Sequence, residues 1–279
     1  MHPTDPSSDS ADAKAPDRAT VVWSDTGQPR SPRFGDVYRS LGEDGQGGLA
    51  QARHVFLAGC GLVAADGGAL IRAQWHGEAT WRVLENGFGL GLNFLATWLA
   101  WQRDPGRPRR LVYEATEAWP PTADDIRRSA APFAAVAGLG NVLASQWETL
   151  QSHGTLALSD GSVLLRLHAG SAQTVLAGME PPFDSVFLDG FSPKRNPDMW
   201  TPTLLHRIGE LTRPGGLAAT WCVARSVRDA LASAGFQVDR RPGLPPKRHC
   251  LVARRMADPA PDRTPPTNPV RPPASGLPA

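Results

Sequence analysis

The feature that most limits the fold is an alternation of strand-like and helix-like stretches. WRVLE precedes GLNFLATWLAWQ, RLVYEAT precedes TADDIRRSAAPFAAV, FDSVFLDG precedes TPTLLHRIGEL, and GLAATWC precedes ARSVRDALASAG. Short apolar runs, each followed by a longer amphipathic stretch, predict parallel strands joined by crossover helices. GTLALSDGSVLLRLH alternates apolar residues on either side of Asp160-Gly161, which predicts a β-hairpin inserted before the fourth parallel strand. Near the end, FQVDRR and RHCLVARR predict a closing antiparallel pair. Thr201-Pro202 predicts a helix start, and Pro214-Gly215-Gly216 the stop of the same helix.

An α/β chain with a mostly parallel sheet, an antiparallel C-terminal edge and an inserted hairpin is the pattern of the class I, Rossmann-like methyltransferase fold. Residues 1–20 and the proline-rich 257–279 have almost nothing large and apolar to bury, so both are expected to be unordered tails around one domain at 21–256. The charges nearly cancel, 29 Lys and Arg against 27 Asp and Glu, so any polyanion contact has to come from local clusters. Cys60, Cys222 and Cys250 are far apart and predict neither a metal site nor a disulfide framework. No signal-peptide core and no apolar run of membrane-spanning length is present, which predicts a cytoplasmic protein.

ENGFGLGLNF, residues 85–94, raises the question of a nucleotide cradle. Counted from Gly87, Leu92 takes the sixth position, where a dinucleotide fingerprint needs Gly or Ala, and no Lys-Ser or Lys-Thr pair follows at P-loop spacing. What remains is an acid, Glu85, with Gly87, Gly89 and Gly91 at every second position, and Phe88 among them. Such a turn lets the backbone approach a ligand, and S-adenosylmethionine suits it because its ammonium group can be held by carboxylate and carbonyl oxygens. Glu85 is expected at that pole. Glu117, ending RLVYEAT, is expected at the ribose hydroxyls. Asp189-Gly190 turns out of the buried SVFL at the ligand edge, and FSPKRNPDMW after it mixes aromatic, proline and basic residues suited to a flat ring near phosphate.

These stretches carry a resemblance. FGDVYRS at 34–40, ARHVFLAG at 52–59, ENGFGLGLNFL at 85–95, FLDGFSPKRNPDMWT at 187–201, RPGG at 213–216 and PKRHCL at 246–251 resemble the methyltransferase domain of the bacterial MnmC family and its stand-alone MnmD relatives. The resemblance runs from about residue 23 to 256. It implies N-methylation, by S-adenosylmethionine, of the aminomethyl group of 5-aminomethyl-2-thiouridine at the tRNA wobble position. It also implies a tRNA partner and, upstream, a separate FAD-dependent oxidase or the MnmE/MnmG pathway. FAD itself is not expected in this chain, which ends in the proline-rich tail where the oxidase of two-domain relatives begins.

Carried over residue by residue, the resemblance makes Asp189 the active-site aspartate that orients the amine, touching cofactor and acceptor alike. It sets Tyr38 and Phe191 around the uracil ring. Asn196, Pro197, Met199 and Trp200 become acceptor contacts, and Lys194, Lys247 and Arg248 contacts to tRNA phosphate. Three positions depart from the family pattern: Ser171 stands where an aspartate usually meets the adenine, Leu90 replaces a threonine, and VARS at 223–226 replaces a Gly-Phe turn. Two further readings follow from these departures: a non-catalytic remnant of a bifunctional protein, or a methyltransferase for another amine.

Overall fold

The computed structural model describes residues 18–42, 45–66, 68, 70–245 and 247–257. The expected tails therefore lie, apart from residues 18–20 and 257, outside the described residues.

Three short strands, β1 (Val22–Trp23), β2 (Pro29–Ser31) and β3 (Asp36–Val37), form a small antiparallel sheet. Helix α1 (Gly47–Gln51) continues through wider π-type turns at Ala52–Leu57. Then β4 (Thr80–Asn86), α2 (Leu92–Arg103) and β5 (Arg110–Glu117) open the alternation. The stretch read as one helix from 122 to 136 is two, α3 (Ala123–Ala130) and α4 (Ala134–Ser145), because Pro132 cannot continue the first. Thr122 and Asp125 close a reciprocal capping box at the start of α3.

Helix α5 (Trp147–His153) leads into the hairpin, β6 (Thr155–Leu158) and β7 (Val163–Ala169), whose turn holds Ser159, Asp160 and Gly161 at φ 50°, 54° and 83°. Helix α6 (Ala172–Ala177), β8 (Phe183–Leu188), a 3₁₀ turn (Pro197–Trp200), α7 (Pro202–Leu211), β9 (Thr212–Thr220), α8 (Arg225–Ser233), β10 (Phe236–Pro242) and β11 (His249–Arg255) complete the chain.

The main sheet has the order β10-β11-β9-β8-β4-β5-β7-β6. Strands β9, β8, β4, β5 and β7 are parallel neighbours, and β11 runs antiparallel to β9. The class I fold read from the sequence is the fold observed. The hairpin is no side feature, since β7 is itself the parallel strand beside β5, which makes β8 the fourth in chain order.

Thr201 caps α7 through its side chain, as expected, with Pro202 in the first turn. The expected stop at Pro214-Gly215-Gly216 is corrected. The helix ends at Leu211 and these residues lie inside β9, at a register shift opposite Phe183 and Ser185. Gly215 there has φ 79°, which favours glycine.

Successive side chains on a strand point to opposite faces. Trp81, Val83 and Tyr113 therefore enter one core with Phe94 of α2, while Leu84 and Val186 enter the other with Leu204 and Leu205 of α7. The three cysteines are buried and unpaired.

Candidate active site

Chain direction decides where a ligand can enter. From β4 the chain builds outward through β5 and β7, then returns to place β8 on the other side of β4. Neighbouring loops therefore diverge at the carboxyl ends of β4 and β8, and that switch point is where open α/β sheets bind ligands. A cavity of about 880 Å³ opens there, walled by the loops after β4, β5, β7, β8 and β9 and by the small N-terminal sheet.

The glycine loop shapes its floor. Gly87 has φ 101°, and a Cβ at that position would lie 2.7 Å from the Asp189 carbonyl oxygen and 2.9 Å from Met199 Cε. The Gly89 N–H donates to Glu117 Oε2 at 2.8 Å, and the Trp119 N–H donates to Oε1 at 2.9 Å. Two main-chain donors thus hold the Glu117 carboxylate at the cavity wall, while burial raises its pKa to about 7. Gly91, at φ 76°, caps α2. Phe88 lines the cavity and stacks on Trp147 at 5.6 Å.

Glu85 departs from its expected role. It is fully buried and lies outside the cavity lining. The reason is strand alternation: Glu85 shares a face with Trp81 and Val83 and points beneath α2 rather than out of the loop. Its Oε2 accepts from Tyr113 Oη at 2.8 Å and its Oε1 from Asn93 Nδ2 at 2.7 Å.

Asn93, on the first turn of α2, also donates through Nδ2 to Asp189 Oδ2 at 2.8 Å. The amide bridges the two carboxylates and itself lines the cavity. Asp189 Oδ1 accepts from Trp221 Nε1 at 2.9 Å and from the Gly190 N–H at 2.8 Å. Burial pushes both carboxyls upward, Glu85 well above the usual range, with each carboxylate's own donors working against the shift.

Comparison with known proteins locates this arrangement. Residues 135–256 match the family described as S-adenosyl-L-methionine-dependent methyltransferase. That match takes in β6 to β11, and with them Ser171, Asp189 and Lys247. It is 47% identical over 234 residues to the tRNA 5-methylaminomethyl-2-thiouridine biosynthesis bifunctional protein MnmC of Paracidovorax citrulli, covering 84% of this chain and 35% of the relative. The MnmC of Polaromonas naphthalenivorans is 50% identical over 228 residues, covering 81% and 33%. The chain thus spans about a third of the length of these curated relatives. Among solved structures, MnmC2 from Aquifex aeolicus superposes with a TM-score of 0.65 at 21% identity, covering 88% of this chain and 73% of that one, a likeness of fold.

Around this cavity the remaining expected residues divide. Tyr38 and Phe191 meet edge to face at 5.1 Å, and Phe34 stacks on Phe191 at 4.7 Å and touches Trp119 at 5.4 Å, forming an aromatic wall over the cavity. Burial, then the negative charge of Glu117, pushes the Tyr38 hydroxyl up to about 12. Ser171, Asn196, Met199 and Lys247 also line the cavity. Ser171 already caps α6, accepting from the Thr174 N–H at 3.2 Å.

Trp200, Pro197, Lys194 and Arg248 do not line it. Trp200 is buried in the core against α7 and donates to the Phe191 carbonyl at 2.8 Å, so it fixes the loop from below. Pro197 starts the 3₁₀ turn, and Lys194 and Arg248 are exposed outside the cavity. Lys247 instead lies with Nζ 2.8 Å from the centre of the Trp221 ring.

Reading the sequence missed Asn93, Trp221, Trp119 and Phe34. Asn93 had one signal, a carboxamide in an otherwise apolar first helical turn directly after the glycine loop. Among the described residues no His, Cys, Asp and Glu cluster could hold a metal, and no helix is long and apolar enough to cross a membrane.

Proposed function

We propose that this chain methylates the aminomethyl nitrogen of 5-aminomethyl-2-thiouridine at the wobble position of tRNA, with S-adenosylmethionine as methyl donor. The observation that carries this reading is Asp189, a carboxylate at the sheet switch point whose two oxygens are held by three N–H donors beside a cavity with an aromatic wall. The high identity to proteins named for biosynthesis of that nucleoside supports the choice of acceptor.

The cradle fits the cofactor. A Cβ on Gly87 would strike the Asp189 carbonyl and Met199, Gly89 turns at φ 54°, and Glu117 offers carboxylate lone pairs still free for hydroxyls. Gly87, Phe88, Gly89 and Leu90 would hold the amino-acid part, Glu117 the ribose, and the loop at Gly170 and Ser171 the adenine. When bound, S-adenosylmethionine supplies an electrophilic methyl on a sulfonium.

The chain's own residues supply position and dryness. Tyr38, Phe34 and Phe191 exclude water and seat a flat pyrimidine ring. Asp189 cannot swing, because Asn93 and Trp221 hold opposite oxygens, so an amine hydrogen-bonded to it has one orientation. Asp189 also accepts the proton that the nitrogen sheds. Glu85 acts only through Asn93, which makes it a positioning residue. The exposed Lys194 and Arg248 are the tRNA phosphate contacts in this reading.

The test is calorimetric titration with S-adenosylmethionine, together with a methyl-transfer assay on tRNA carrying the aminomethyl nucleoside. Binding with transfer to the wobble nitrogen, reduced about 100-fold or more in Asp189→Ala, is the expected result. Binding without transfer would move the search to another amine, and absence of binding would overturn the reading.

A further inference from the structure

The acceptor poses an electrostatic problem that Asp189 makes worse. An alkyl amine attacks only through its lone pair, and a buried carboxylate beside it stabilises the unreactive ammonium form. Glu117, on the same cavity wall, adds to that bias. The site needs an opposing charge.

Lys247, on the turn between β10 and β11, is the basic side chain brought to the Asp189 end of the cavity. Its Nζ lies 2.8 Å from the Trp221 ring centre, and the N–H of that same ring donates to Asp189 Oδ1 at 2.9 Å. One indole therefore separates the ammonium from the carboxylate, with a cation–π contact on its face and a hydrogen bond at its edge. Among the described residues Lys247 makes no direct ion pair, so no carboxylate is bound to its ammonium. All three of Lys194, Lys247 and Arg248 are exposed, but of them Lys247 alone lines the cavity.

We propose that Lys247 is a positioning residue for the methyl acceptor, whose charge repels an acceptor ammonium and so delivers the neutral amine to Asp189. This rests on the reading of the acceptor as an alkyl amine. The proton balance is simple: R–CH₂–NH₃⁺ releases one proton to solvent on entry, leaving R–CH₂–NH₂ with its lone pair free. The proton shed later, when nitrogen gains the methyl carbon, passes to Asp189.

The groups facing Lys247 are Asp189 at the end of β8, Asp36 on β3, and Cys222 and the Trp221 ring after β9. Burial outweighs their effect and brings the Lys247 ammonium down to about 8. It is charged at neutral pH, where the acceptor most needs to be deprotonated. It loses its charge above about pH 8, so wild type and a variant without the charge converge there.

The experiment is single-turnover methyl transfer from pH 6 to 9.5 at saturating S-adenosylmethionine, using tRNA that carries the aminomethyl nucleoside. Wild type, Lys247→Met and Lys247→Arg are compared. The expected result is a roughly tenfold loss in Lys247→Met at pH 7 that disappears by pH 9, with the acid limb moved up by about one unit. Lys247→Arg, which keeps the charge, restores most of the rate at pH 7.

A raised and less salt-dependent KM for tRNA with an unmoved pH profile would make Lys247 a phosphate contact and overturn the proposal. Equal loss at every pH in both variants would reduce it to packing and overturn it as well. A wild-type protein that binds S-adenosylmethionine but leaves this tRNA unmethylated would refute the acceptor assignment itself. That failure is distinct from a variant that simply behaves like wild type.

Discussion

Glu114 and Glu85 lie on neighbouring strands of one sheet, both buried, yet the protein treats them in opposite ways. Glu114 points to the face that carries Arg82 on β4 and Arg166 and His168 on β7. Arg82 Nη2 donates at 2.9 Å and Arg166 Nη1 at 3.2 Å, and His168 Nε2 lies 3.1 Å away. Burial alone would raise this carboxyl, but these partners outweigh it and hold it at about 2. Glu85 points to the opposite face, where Tyr113 and Asn93 are its partners and neither is charged. There burial wins, aided by the negative charge of Asp189, and the carboxyl is pushed well up. One face spends its carboxylate on stability, and the other keeps a pair of carboxylates poorly compensated beside a cavity. Poor compensation of that kind marks the face where chemistry is done.

The largest effect is expected at the amide joining the two carboxylates of the poorly compensated face. In Asn93→Ala, the fully buried Glu85 and the half-buried Asp189 each lose a donor, which costs about 2 to 3 kcal/mol in stability. Asp189 then has only Trp221 and Gly190 to fix it, and methyl transfer should fall about 100-fold. Urea unfolding and a single-turnover assay measure the two. A variant with full activity would mean that Asp189 needs no bridge, and the contrast between the faces would lose its functional content.

The order of strands and the hairpin were legible because short apolar runs separated by capped helices leave little choice of topology. Asp189 was legible for a similar reason: a carboxylate directly after a buried strand must emerge at the strand's end. Glu85 looked equivalent but was not, since its side chain points with Trp81 and Val83 into the core beneath α2. Asn93 and Trp221 were illegible because each sits in a segment whose apolar neighbours read as packing. Their polar atoms matter only once α2 and β9 converge on Asp189 from opposite sides. The break at Pro132 could have been read from the ring's lack of an N–H. The strand through Pro214-Gly215-Gly216 could not, because its bulge depends on pairing with β8.

A smaller effect is expected on the ion-paired face. Glu114→Gln removes a carboxylate whose folded pKa, about 2, lies below its usual 4.5. A depressed acid contributes stability above the unfolded value and loses it as pH falls through the folded one. The contribution is therefore full above about 4.5 and gone near 2. Discounted for the half-exposed Arg166 and His168, it amounts to about 1 to 2 kcal/mol at pH 7. Urea midpoints for Glu114→Gln should lie below wild type at pH 7 and converge with it near pH 2, with methyl transfer within about twofold. A large loss of transfer would mean that this face also shapes the cavity.

The smallest effect, and the one of opposite sign, is expected for Glu85→Gln. Here the folded pKa lies above the usual 4.5, so the protonated carboxyl favours the fold. That stability is present below about 4.5 and is lost as pH climbs from there toward the raised value. A glutamine is uncharged at every pH, and its carbonyl oxygen can still accept from Asn93 while its amide donates to the Tyr113 oxygen. Stability should match wild type to within about 1 kcal/mol at pH 4 and exceed it at pH 8, flattening the alkaline side of the profile. Because Asn93 keeps both partners, methyl transfer should change far less than in Asn93→Ala. Parallel urea titrations of Glu85→Gln and Glu114→Gln across pH would then slope in opposite directions from wild type. If Glu85→Gln instead lost stability at pH 8, the Glu85 carboxylate would be a well-compensated anion, and the two faces would differ in partners but not in how well each carboxylate is neutralised.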